Sequence, residues 1–378
     1  MMKNNFFVCL ILFFLLCVSL FAQTPGPNDW WHTLERGKVM FRQGDYGNAL
    51  LTFEDARRQR KAMYERLERH FINLLSITEV RRMNDALDWI ERYIRERHYA
   101  DAAEALAELY YRIPRETFNN SASAALTGLG SLKDYPEAEY WIGETLLVEG
   151  ELKLAQDQFQ KTLALRETFE NPGLAAELLY KIAAISRIRQ EYNEMERTLH
   201  SILASDRLWS TDEKTQSSGS FAKQAMTHTL EANGINRFLT LYRYNGAESM
   251  DAHRLLGFYY YASGRHNRAQ EHLMYAFLIQ NTIIIDEIIR REYDFTFTTL
   301  EALAARIKGN PLLVEYAEKS EYYKTAYYLG ASLFAGGKTT SARVIWNFLS
   351  NQSHIGEWQP RALAQLAAPF VERALEMP

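Results

Sequence analysis

Gly336-Gly337-Lys338-Thr339 is the stretch most like a phosphate-binding loop, in which backbone N–H groups and a lysine cradle a polyphosphate. That loop requires a glycine five residues before Gly337, and Ser332 stands there instead. The nine histidines offer no pair at metal-ligand spacing on one helix face with a carboxylate to complete the set. His253 and His266 bracket one helical stretch, and His266 falls where a packing aromatic belongs. Carboxylates at helical spacing, such as Asp101, Glu104 and Glu108, describe a solvated face. Glu137 and Glu144 are not set apart from the others as an acid and base pair. No Gly-x-Ser-x-Gly elbow occurs. The residues therefore predict no catalytic group, no metal site and no cofactor.

Both cysteines, Cys9 and Cys17, lie in an apolar run from 6 to 22 that follows a short basic start and precedes Gln-Thr-Pro-Gly-Pro. This is the layout of a secretory signal peptide over 1–22, cut after Ala22. Leu20 before the cut leaves an uncleaved anchor open, which would be the only membrane contact, and Cys17 leaves a lipoprotein open. A mature chain without thiols excludes zinc-finger, thiolate and disulfide chemistry and must rely on a large packed core. The formal charge of −4 is spread along the chain, which argues against nucleic-acid binding. Export without disulfides points to a bacterial periplasm or cell envelope.

The elements that would carry any site are helices, because the apolar period is helical and strand-like alternation is almost absent. Residues 253–276 predict a helix, a turn at Gly264 and a second helix, with Gly257 and Ala269 the small residues of the facing surfaces and Tyr260 and Leu273 filling the space beside them. The same pattern returns at Gly37, Gly44, Ala49 and Phe53, at Gly143, Gly150, Ala155 and Phe159, and at Gly330, Gly337, Ala342 and Trp346. This spacing resembles the tetratricopeptide repeat, and 253–276 is its best-preserved copy. A further copy, with Trp89, Tyr93, Tyr99, Ala102 and Leu106, ends at Pro114, and a degenerate copy has Gln190 at its turn and Met195 where alanine is usual.

Between the copies, 61–79 predicts an extra helix and 116–131 a loop with a weak helix. Residues 205–220 predict a loop dividing the repeats of 29–204 from those of 221–378. Two unmarked helix pairs are expected, one over 221–242 broken at Gly234, the other over 282–293 and 298–307 and ended by Gly309-Asn310-Pro311. A helix over 359–375 caps the end. The resemblance implies an all-α fold, a right-handed superhelical solenoid of antiparallel helix pairs.

In that family the first helix of each unit lines a groove. The offsets carry over to Tyr140, Glu144, Tyr180, Arg187, Arg254, Phe258, Tyr261, Tyr327 and Phe334. Tyrosines interleaved with arginines suit a peptide, since they join large contact area to a polar tip. Phe258 and Glu144 stand where the carboxylate-clamping members place asparagine, so a C-terminal carboxylate is not the implied ligand. The expectation is an exported scaffold without catalysis that binds another protein of the envelope. The alternative is a small-solute binder serving a transport system.

Overall fold

The computed structural model of the chain describes residues 29–75, 83–96, 132–204 and 213–372, with isolated positions between them. All regular structure among these residues is helical and no strand occurs among them. The predicted signal segment, both cysteines, Tyr99, Leu106, Pro114 and nearly all of 116–131 lie outside the described residues. Two compact units are present, one up to Leu178 and one from Leu179, with the division inside a helix. That position differs from the division expected at 205–220, and a helix already begins at Glu213 within that stretch.

The first unit contains α1 (Asp29–Arg42), α2 (Tyr46–Leu75), α3 (Met83–Arg95), α4 (Pro136–Val148) and α5 (Leu152–Ala164). α2 runs unbroken for 30 residues, so the extra helix expected from Lys61 is its continuation. Nothing in Arg-Arg-Gln-Arg-Lys at 57–61 stops a helix. The core of this unit holds Trp30, Phe53 and Tyr135. Buried Arg60 lies over Trp30 at 5.0 Å and over Tyr135 at 4.5 Å, and its Nε donates to the Leu132 carbonyl at 3.2 Å.

The helix crossing the division is α6 (Gly173–Ile188). The second unit continues with α7 (Tyr192–Leu203), α8 (Glu213–Leu241), α9 (Ala247–Ala262), α10 (His266–Arg291), α11 (Leu300–Lys308), α12 (Pro311–Lys319), α13 (Tyr322–Ala335), α14 (Thr339–Ser350) and α15 (Trp358–Ala367). α8 is interrupted at Gly234, whose φ of 79° is not helical, as the sequence predicts.

The hairpin of α9 and α10 shows why the motif residues are what they are. Gly264 takes a φ of +74°, which glycine adopts without a Cβ penalty. This lets the N–H of Arg265 reach the Tyr260 carbonyl at 2.8 Å and close the turn. Gln190 holds the equivalent turn of the degenerate copy at a φ of 60°, a strain of about 1–2 kcal/mol for a side chain. A Cβ on Gly257 would lie 2.6 Å from Leu273, so only glycine lets these helices approach.

Several expectations are corrected. α10 is one helix of 26 residues, so 282–291 belongs to it and does not start a new pair. By length and composition it would span a membrane, yet most of it is buried in the second unit's core. Asn310-Pro311 starts α12 as well as ending α11: the Asn310 side chain accepts the Leu312 N–H at 3.1 Å and proline sits in the first turn. α15 stops at Ala367, short of the expected 375, because Pro369 drives Ala368 to an extended φ, ψ of −147°, 90°. Residues 369–372 then run on without helix, and 373–378 lie outside the described residues.

Candidate functional site

In the first unit, Tyr140 and Glu144 share the half-buried side of α4. The Tyr140 hydroxyl donates to Glu177, and burial followed by this bond raises its pKa. In the second unit the Tyr180 hydroxyl pins the start of α9, donating to the Glu248 carbonyl at 2.6 Å and accepting the Ala252 N–H at 3.1 Å. Arg187 is exposed. Phe334, half-buried, packs on Trp346 at 5.7 Å.

The remaining four come together on one aromatic face of α9 and α13. Their centre is Tyr328, which sequence reasoning passed over. Its ring meets Phe258 at 5.7 Å, Tyr261 at 5.1 Å and Tyr327 at 5.2 Å. Phe258, Tyr261 and Tyr327 are 1%, 2% and 0% exposed, so they pack into the unit and do not present rings to solvent. The reason is the composition of α13, whose Tyr-Tyr-Lys-Thr-Ala-Tyr-Tyr-Leu-Gly is buried on nearly every side. Arg254 stays at the edge, 13% exposed at its side chain, paired with Asp251 and Glu321.

Cations gather beside this face. Burial first, and then the charges of Arg254, Arg187 and Arg361, lower the pKa of Lys324, with Glu357 opposing them. Lys324 also lies 4.6 Å above Phe258 and pairs with Glu321 at 2.8 Å. Glu321 itself has a φ of 51°, a left-handed backbone unusual for glutamate. These residues adjoin a cleft of about 410 Å³ lined by Glu318, Glu321, Tyr323, Lys324, His354 and Trp358. That volume lies within the range of small-molecule sites.

A carboxylate already occupies the aromatic face. Glu372, on the non-helical segment after α15, is 11% exposed at its side chain. It accepts from Tyr327 Oη at 2.5 Å, from Tyr328 Oη at 3.4 Å and from Arg361 Nη2 at 3.0 Å. The Arg361 guanidinium lies over Tyr327 at 5.2 Å and over Trp358 at 5.0 Å, and Gln365 Nε2 donates to Tyr327 Oη at 3.2 Å. Burial, and after it the Glu372 charge, push the Tyr261 hydroxyl up to about 12. The chemistry of this arrangement is anion reception by neutral phenols and one guanidinium.

A second polar cluster in the same unit is sealed. Nδ1 of His253 and Nδ1 of His272 lie 3.1 Å apart, and both residues are buried. Trp209 and Tyr275 pack around them at 4.5–5.5 Å, and His200 Nε2 lies 2.8 Å from Tyr260 Oη. Asp206 accepts from Ser249 at 2.5 Å and from Tyr244. Burial lowers the pKa of His253 to about 3 and that of His272 well below its usual value. Among the described residues no group of three or more His, Cys, Asp or Glu is arranged to hold a metal ion.

Comparison with known proteins adds one relative. A protein of Treponema pallidum (strain Nichols), described only as uncharacterized, is 24% identical over 343 residues, which is 90% of each chain. No family model matches the chain. No solved structure matches it either. The relative carries no stated activity, so the chemistry of the faces above is what bears on function.

Proposed function

We propose that the chain is an exported, non-catalytic scaffold of tetratricopeptide-like helix pairs, stacked as a right-handed solenoid, that binds another protein in the bacterial periplasm or cell envelope. One observation carries the binding part of this reading: the non-helical residues that follow α15 deliver the Glu372 carboxylate to Tyr327 and Tyr328 of α13. A surface that holds one such segment has the shape and donors to hold another. The four matching glycine hairpins support the repeat architecture, and the run 6–22 supports export.

Crosslinking the mature protein in its native envelope fraction, beside an Arg187→Glu variant, tests the reading. Arg187 is exposed and makes no ion pair among the described residues, so reversing its charge leaves the fold intact. A specific crosslinked protein, weakened several-fold by Arg187→Glu, is expected. No specific protein, or one indifferent to every change on this face, overturns it.

The 410 Å³ cleft favours a second reading, a small-solute binder serving transport, with Lys324 and Glu321 offering both charges beside Trp358. Saturable thermal stabilisation by a small metabolite, with no protein retained, would replace the scaffold reading by this one.

A further inference from the structure

The segment after α15 is held in an unusual way. Its apolar side chains contribute little, since Phe370 and Val371 are 50% and 40% exposed. Two polar anchors hold it instead: the Phe370 N–H donates to Gln365 Oε1 at 3.0 Å, and Glu372 reaches Tyr327, Tyr328 and Arg361. The Glu372 side chain is thus more buried than the apolar Phe370 and Val371 beside it. Taking a carboxylate out of water is costly unless every lone pair is met, and here three donors meet it.

The Glu372 main chain also lies against Tyr261 Oη, on a residue 2% exposed, so the α9 tyrosine meets the backbone of the segment while the α13 tyrosines meet its carboxylate. An acidic occupant is favoured by Arg361, whose Nη2 donates to the Glu372 carboxylate at 3.0 Å beside the two tyrosine hydroxyls.

We infer that Tyr327, Tyr328, Arg361 and Gln365 form a receptor site for the side-chain carboxylate of an extended acidic segment on a partner protein, which Glu372 fills in cis until that segment displaces it. This deepens the proposed function and rests on its reading of the α9 and α13 face as a protein-binding surface. A tethered segment competes at an effective concentration on the order of millimolar, so the intact chain discriminates against weak acidic peptides. The partner must replace the carboxylate contacts and present a main-chain group to Tyr261.

The test uses the full mature chain and its Glu372→Gln form, with a fluorescein-labelled peptide of sequence 367–376 as probe. Glutamine keeps the shape and removes the charge, so the segment loses its strongest anchor. Release is read independently as faster hydrogen exchange of the Phe370 amide. Glu372→Gln is expected to bind the probe at least tenfold more tightly than the native chain does. Changing the probe's own glutamate at the 372 position to glutamine, or Arg361 to Gln in the protein, should remove that gain.

Three results would overturn the inference: a Phe370 amide as protected in Glu372→Gln as in the native chain, no binding by the released form while its helicity is intact, or equal binding of the two probes. The broader reading fails separately. If the probe binds as expected but neither chain crosslinks to an envelope protein, the site stands and the scaffold does not. A partner crosslinked equally to the native chain, Glu372→Gln and Arg361→Gln leaves the scaffold standing and removes the inference.

Discussion

The His253 and His272 pair and the Glu372 site lie in the same unit, each packed by tyrosine and tryptophan, yet they hold their central titratable groups in different ways. Around the histidines, burial holds both rings neutral, and tyrosine and tryptophan close over them. At Glu372 the carboxylate is met by the Arg361 guanidinium, which remains 30% exposed. The sealed cluster belongs to three elements of the core and has nowhere to go. The charged one hangs on a segment with little apolar burial, so its contacts can be exchanged for others without disturbing the helices beneath. The histidines are packed as neutral rings, and the edge carboxylate is the group on which the proposed recognition rests.

The largest effect should come from truncating the sealed cluster. Tyr275 is fully buried against His253 and Trp209, and Tyr275→Ala should cost about 3–5 kcal/mol in urea unfolding. Tyr275→Phe should change stability by less than about 1 kcal/mol, because the hydroxyl it removes makes no hydrogen bond. A large loss from Tyr275→Phe would show that polar bonding holds the cluster together and would break the contrast.

Acid comes next. His253 has a folded pKa of about 3 against an unfolded value near 6.5, so the unfolded chain takes up the proton first as pH falls. Its contribution is whole above about pH 6.5 and is lost as pH falls toward 3. Between pH 7.5 and 5, His253 alone should lower stability by about 2 kcal/mol. His253→Gln should flatten that slope, and an unchanged slope would place the proton uptake elsewhere.

The smallest global effect should come from the open site. Tyr327→Phe removes one donor to Glu372 and the acceptor of Gln365 while keeping the ring in the core, and should cost about 1–2 kcal/mol overall. Exchange at the Phe370 amide should nevertheless rise severalfold, because the loosened segment opens without global unfolding. If Tyr327→Phe instead unfolds the unit, the two clusters are alike and the comparison fails.

The hairpins were legible in the sequence because their constraints are local. Gly264 must turn left-handed and Gly257 must admit Leu273, and both demands leave a glycine at a fixed offset. Helix lengths were less legible. The motif ends at Ala276, but no glycine or proline follows before Arg291, so α10 continues where the pattern stops. Ala368-Pro369 was a readable stop that the helical period of the preceding residues obscured.

For the site, offsets brought Arg254, Phe258, Tyr261 and Tyr327 to one face, but burial could not be read from a helix that is buried on nearly every side. Tyr328 is next to a residue that was named. Arg361 and Glu372 come from later elements, and no local spacing ties either one to α13.

Pro369 also sets how far the chain can reach. From Ala367 to Glu372, continued helix would advance about 7.5 Å at 1.5 Å per residue. Extended chain covers roughly twice that at about 3.3 Å per residue. A single imino ring thus governs reach as well as direction, and replacing it with alanine would shorten the tether, leaving the tyrosines without their carboxylate while every contact residue stayed in the sequence.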